Sequence, residues 1–192
     1  MELNNLGNKY DKNNSIKQIA ISEVFDGRYF FIPSYQRGYR WGKKQIIDLC
    51  NDLLEYALKN KSTEDTKPFY SLQPLIVRKG TFTINGEKEI AYEVIDGQQR
   101  LTSIIILYRY LIKENNIKSS EEYTRKMDGN EIYHIYYETR PGDFQSIEKL
   151  GFNDLTNDDI KDIDIAHVYN AYKYIDNRLF PSDGEKMTAK DA

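Results

Sequence analysis

The sequence predicts an α+β domain with mixed strands, and three observations carry that reading. Short runs of β-branched and aromatic residues recur along the chain, and one pair is joined by the two-residue hairpin signal Asn85-Gly86. Two segments repeat apolar residues at the period of an amphipathic helix. A third, LTSIIILYRYLI from Leu101, is apolar nearly all round and suits a helix at the centre of the fold.

In chain order, residues 1–15 are polar and read as a loose lead-in. Ser15 is placed to cap a short helix holding Ile16, Ile19, Ala20 and Glu23, with Gly27 as its stop signal. Tyr29 to Pro33 (YFFIP) reads as a buried strand closed by proline. Ile46, Leu49, Cys50, Leu53, Leu54, Ala57 and Leu58 form one helical stripe, and Lys59 to Lys67 is a charged surface loop. Leu75 to Lys79 and Thr81 to Ile84 read as strands, and Asn85-Gly86 turns the chain into a further strand, Glu89 to Ile95. The apolar helix follows. Ile132 to Glu138 (IYHIYYE) alternates as a strand does, and Ile165, Val168, Tyr169, Tyr172, Ile175 and Leu179 stripe a final long helix. The polar tail from Ser182 has no stop signal and reads as a linker severed from a longer protein.

Composition excludes several classes of function. The 192 residues are 40% hydrophobic and 30% charged, which is enough to bury a core and too apolar for a disordered tail. Mean hydropathy is −0.70, and no apolar run approaches the ~20 residues of a membrane span. No targeting segment is visible in MELNNLGNKYDKNNS. One cysteine, Cys50, excludes an internal disulfide, and with only His134 and His167 a His/Cys metal centre is close to excluded. The chain reads as reduced, soluble and cytoplasmic. A net charge of −3 argues against a general polyanion binder. Its distribution is uneven: Pro33 to Lys44 carries Arg37, Arg40, Lys43 and Lys44 with no acid, whereas Asn153 to Asp164 is strongly acidic. A local cationic site on an acidic protein suits a small anionic ligand. Most of the 16 tyrosines are assigned to packing.

Two motifs carry chemistry. In IPSYQRGYRW, Ile32 to Trp41, Arg37 and Arg40 offer planar forks of donors for phosphate, while Tyr35, Tyr39 and Trp41 offer flat faces for a base. Gln36 adds an amide able to orient water or read a base edge. The competing reading is an exposed loop with Trp41 plugging the next helix onto the sheet. In VIDGQQRLTS, Val94 to Ser103, a strand ends at Asp96, turns at Gly97 and enters a helix near Gln98 to Arg100. Such a turn aims free backbone N–H groups at an anion. Asp96 could hold Mg²⁺, Arg100 could reach a phosphate, and Gln98 or Gln99 could position a water. The competing reading is an Asp-Gly turn with Asp96 as a helix cap worth ~1 kcal/mol.

Other candidates are weaker. Arg140 and Asp143, around a Pro-Gly turn, could add a third wall or form only a surface salt bridge. His134 and His167 are assigned structural roles and Cys50 a core position. No Ser/His/Asp ordering, Walker-type glycine loop or HNH-like histidine cluster is present.

Together the two motifs closely resemble the N-terminal domain family of GmrSD-type, modification-dependent (type IV) restriction endonucleases, over roughly Ile16 to Phe180. Asp96, Gly97, Gln98, Gln99 and Arg100 match the family's DGQQR signature, followed by Leu101, Thr102 and Ser103, where a second Thr is usual. Tyr35, Gln36, Arg37, Tyr39 and Trp41 match the first motif, with Ser34 where many relatives have an acid. The resemblance implies a ParB/sulfiredoxin-like fold: a ParB-like nucleotide-binding domain at 16–152, a C-terminal helical segment at 153–181, and a tail at 182–192. It also implies a phage-defence domain that binds and hydrolyses a nucleoside triphosphate and regulates DNA cleavage. Cleavage belongs to an HNH-type nuclease domain or subunit that these residues lack, so the chain is read as a fragment that does not itself cut DNA.

The expected site therefore has Asp96, Gln98, Gln99 and Arg100 as catalytic residues and Asp96 as the Mg²⁺ ligand. Nucleotide is expected to meet Tyr35, Gln36, Arg37, Tyr39, Arg40, Trp41, Gly97, Thr102, Ser103 and Arg140. The expected partners are nucleotide and, through the absent nuclease, DNA; an oligomer is compatible with the sequence and a membrane is not. The alternatives are a non-catalytic module that senses DNA or a partner, and a ParB-like domain that is itself a nuclease.

Overall fold

The computed structural model describes residues 9–10, 16–24, 28–59, 69–84, 86–115, 134–139, 160 and 163–179. In chain order they form β1 (Lys9–Tyr10), α1 (Ile21–Val24), β2 (Tyr29–Ile32), α2 (Lys43–Lys59), β3 (Ile76–Ile84), β4 (Glu87–Asp96), α3 (Gln98–Asn115), β5 (His134–Tyr137) and α4 (Ile163–Leu179). The strands make one five-stranded sheet in the order β1-β3-β4-β2-β5. β3 runs antiparallel to β1 and β4, whereas β2 runs parallel to both β4 and β5. The fold is α+β with a mixed sheet.

That topology brings the two motifs together. β2 and β4 are parallel neighbours, so the loop leaving β2 and the turn leaving β4 emerge at the same edge of the sheet. The carboxyl ends of adjacent parallel strands are where ligand crevices form in open sheets. Alternation along the strands divides the core in two. Phe30 and Ile32 of β2 and Val94 of β4 face the helices, packing with Ile46, Leu101, Ile105, Val168 and Ile175. Phe31, Phe82, Ile84 and Ala91 form a second cluster on the opposite face, where Phe31 stacks on Phe82 with ring centroids 4.4 Å apart. α4 packs across α2 and α3. No described helix is long and apolar enough to cross a membrane.

Several local expectations are corrected. The first helix is shorter than the pattern suggests: Ile16 to Ala20 is not helical, and Ile16 and Ile19 are exposed, so their apolar spacing has no core to face. The two expected strands at Leu75 to Lys79 and Thr81 to Ile84 are one, because Gly80 continues the ladder opposite Ala91. The hairpin link is as short as Asn-Gly implies, since Ile84 pairs with Glu87 and Gly86 has φ +88°. The charged loop at 60–67, Arg140, Asp143 and the acidic run at 153–159 lie outside the described residues.

Candidate functional site

A cleft of about 640 Å³ opens where the β2–α2 loop meets the β4–α3 turn. Gln36, Arg37 and Trp41 line it from the loop, and Asp96, Gly97, Gln98, Gln99 and Arg100 from the turn. Gln45, Asp48, Leu49 and Asp52 of α2 and the segment 70–73 complete it.

The turn is built by Gly97. Its φ of +92° is a conformation that residues with a Cβ rarely adopt, and a Cβ there would stand 2.9 Å from Leu75 Cδ1. The Gly97 carbonyl accepts the first helical bond, from Leu101 N at 2.9 Å, so Gly97 and not Asp96 occupies the capping position. The expected alternative of Asp96 as a helix cap is thereby corrected. The Asp96 carboxylate is exposed at the cleft and has no partner among the described residues. Just before it the ladder is irregular: Val77 pairs with Val94 but Ile76 with Asp96, which leaves Ile95 extra as a bulge. Gln36 Nε2 donates to the Ile95 carbonyl at 3.0 Å, satisfying a group that the bulge would otherwise strand.

The two glutamines fasten one motif to the other. Gln98, buried, donates from Nε2 to the Arg37 carbonyl at 2.7 Å. Gln99 donates from Nε2 to the Gly38 carbonyl at 3.1 Å and accepts from Arg40 N at 2.7 Å. Both ends of the Gln99 amide, expected to position a water, thus bond the loop backbone. Arg100 donates to Gln73 Oε1 and, at 3.0 Å, to the Pro74 carbonyl. It anchors the segment before β3 at the cleft's rim, where Gln73 has φ +68°. Arg37 is exposed in the cleft, with its guanidinium unpartnered among the described residues.

Five expected nucleotide contacts lie elsewhere. Tyr39, Thr102 and Ser103 are fully buried. Ser103 gives its one proton to the Gln99 carbonyl at 2.8 Å, so in its 2.7 Å bond to Tyr39 the phenol is the donor. Burial raises the Tyr39 pKa well above the ordinary phenol range. Thr102 Oγ1 bonds Tyr137 Oη at 2.7 Å. These hydroxyls point inward because α3 is wrapped by the core on that face. Arg40 pairs with buried Asp164 of α4 and donates to the Tyr39 carbonyl, off the cleft. The Tyr35 hydroxyl donates to Glu93, which also takes both Nε and a terminal nitrogen of Arg78. The Tyr35 ring, 66% exposed, lies outside the cleft lining.

The acid-free stretch seen in the sequence is therefore not a cationic surface in space. Asp164 takes Arg40, and Asp48 takes Lys44 at 2.8 Å. Three carboxylates, Asp48, Asp52 and Asp96, line the cleft with two arginines. Sequence reading missed the α2 wall, although Gln45, Asp48 and Asp52 recur at helical spacing and so share one face of α2. Tyr70 donates to Asp52 at 2.8 Å, and its partial burial followed by that bond raises its pKa. Among the described residues no three His, Cys, Asp or Glu side chains converge as a metal cage. One unpartnered carboxylate beside the N-terminal turn of α3 is of the donor type Mg²⁺ takes, an ion that keeps most of its waters.

None of the curated proteins compared with the chain is similar enough to match. The sequence model of one family does match, over residues 17–190: "GmrSD restriction endonuclease, N-terminal domain". That span runs from before α1 to beyond α4 and includes both motifs, and the chain belongs to the GmrSD restriction endonuclease N-terminal domain family.

Proposed function

We propose that the cleft binds a nucleoside triphosphate with Mg²⁺ and hydrolyses it, and that this nucleotide state regulates DNA restriction by a nuclease domain or subunit. The observation that carries this reading is the convergence of Arg37, Arg100 and Asp96 on the first turn of α3, beside the Trp41 ring. The N-terminal N–H groups of an 18-residue helix and two guanidinium groups supply donors for phosphate oxygens. The three cleft carboxylates disfavour a bare polyanion, and Mg²⁺ on Asp96 would reverse that local charge. Phosphoryl hydrolysis needs positioning and charge neutralisation more than covalent chemistry. With Gln99 engaged, the water-holding role passes to Gln98 and Gln36, whose Oε1 atoms have no partner among the described residues. Family membership supports the link to restriction.

One observation favours a second reading, a sensor that binds without turnover: three of the four signature side-chain groups considered catalytic hold backbone rather than open space. Phosphate release from each nucleoside triphosphate in Mg²⁺ tests the first reading. Release that disappears in Asp96→Asn is the expected result. Binding without release supports the sensor, and binding of duplex DNA in place of nucleotide would replace both with a DNA reader.

A further inference from the structure

The loop that carries Arg37 is held from two sides, and only one of them belongs to the cleft. On the cleft side, Gln98 and Gln99 hold its backbone at Arg37, Gly38 and Arg40. On the other side stands α4, whose second residue, Asp164, is 4% exposed and pairs with the Arg40 guanidinium. The Asp164 carboxylate also fills the space over Gly38, where a Cβ would lie 2.5 Å from Asp164 Cγ. Neither Asp164 nor Arg40 lines the cleft. A displacement at the start of α4 therefore reaches the cleft through Gly38, next to Arg37, and Arg40, three residues on.

We propose that Asp164 is a positioning residue through which α4 sets the conformation of the 36–41 loop and so regulates the cleft's affinity for nucleotide. This rests on the nucleotide reading above. A buried ion pair adds little net stability, but removing one partner leaves the other charge uncompensated. The loop therefore has a docked arrangement, with the pair made and Gly38 closed on α4, and undocking breaks both contacts together. Nucleotide that prefers the docked loop must, by linkage, also hold the start of α4 in place. Anything that pulls on α4 then loosens nucleotide, and nucleotide resists the pull.

The test compares Asp164→Asn with Asp176→Asn. Asp176 sits toward the other end of α4, accepts a 3.0 Å bond from the Tyr110 hydroxyl, and is not part of the cleft lining. Two quantities are read: hydrogen–deuterium exchange of the peptide covering 36–42 without nucleotide, and calorimetric affinity for each nucleoside triphosphate in Mg²⁺. Asp164→Asn is expected to speed loop exchange and to weaken nucleotide about tenfold, as the docked fraction falls to roughly a tenth. Asp176→Asn is expected to change neither. Unchanged loop exchange in Asp164→Asn overturns the proposal. So does equal weakening by Asp176→Asn, or faster exchange with affinity intact. A parent protein that binds no nucleotide sinks the nucleotide reading and the regulatory claim with it, while loop exchange alone still decides whether Asp164 positions the loop. If Asp164→Asn does not fold, Arg40→Gln/Asp164→Asn, which leaves no unpaired charge at the half-buried Arg40 position, replaces it with the same expectations.

Discussion

Gln99→Ala separates a structural glutamine from a catalytic one. The native side chain satisfies the Gly38 carbonyl and the Arg40 amide, at 3.1 and 2.7 Å. Gly38 is buried and Arg40 half-buried, so water replaces these bonds poorly at the first and partly at the second. A buried backbone group left without a partner costs about 1–3 kcal/mol, which gives about 2–4 kcal/mol for the pair after allowing for water at Arg40. At about 2–4 °C per kcal/mol for a domain of this size, the melting temperature should fall by about 4–16 °C. Thermal melts followed by circular dichroism, with urea titration for the free energy, measure this directly. Gln99→Glu should also destabilise, because it keeps an acceptor for Arg40 N but turns a carboxylate oxygen toward the Gly38 carbonyl. A Gln99→Ala variant that melts within a degree of its parent, yet loses phosphate release, would rule out the structural role and return Gln99 to the chemistry.

Three further outcomes follow from the geometry. Asp96→Asn should leave the melt unchanged, because the carboxylate is exposed and unpartnered among the described residues, while abolishing the Mg²⁺ dependence of nucleotide binding seen by calorimetry. Gly97→Ala should lower stability by about 1–3 kcal/mol in urea titration, since φ +92° is strained for any Cβ and Leu75 stands in the way. Burial pushes the Cys50 thiol up to about 11 from its ordinary 9, with a smaller opposing effect from Arg178. The folded state thus keeps its proton where the unfolded chain loses it, so this contribution is full below pH 9 and is lost as pH rises toward 11. Burial of Tyr39 acts in the same direction at higher pH. Melts at pH 7, 9 and 10.5 should show the decline only above 9, and a thiol reagent at pH 8 should label Cys50 only on unfolding.

The long elements were legible in the sequence for simple physical reasons. The stripe from Ile46 to Leu58 and the apolar run after Leu101 are long enough for periodicity to be unambiguous, and Asn85-Gly86 is a strong local signal. The helix expected from Ser15 was too generous because Ile16 and Ile19 share a spacing but meet no core. At the site, the two segments singled out in the sequence meet at one cleft, but the sequence does not tell which of their atoms face it. Tyr39, Thr102 and Ser103 carry hydroxyls suited to a binding site and use them inside the core, where Tyr39 bonds Ser103 and Thr102 bonds Tyr137. The charge of Pro33 to Lys44 was misleading for a related reason. Asp164, the partner of Arg40, is brought by α4 through tertiary packing, and Asp48, the partner of Lys44, lies one helical turn further along α2, so composition within the stretch sees neither. The Gln98 and Gln99 clamps were invisible because amides serve backbone and ligand equally well.

If the cleft takes nucleotide on Arg37, the chain's single tryptophan should report it. Trp41 is half-buried in the lining of that same cleft. Its fluorescence, followed while each nucleoside triphosphate is added in Mg²⁺, should change saturably for at least one of them. In Arg37→Ala, whose fold should be unaffected because the side chain is exposed and unpartnered among the described residues, the same titration should shift at least tenfold weaker, the effect of losing a charge-assisted phosphate contact of about 1.5–3 kcal/mol. No saturable response to any nucleotide, or equal affinity with and without Arg37, would mean that the cleft does not take nucleotide on Arg37.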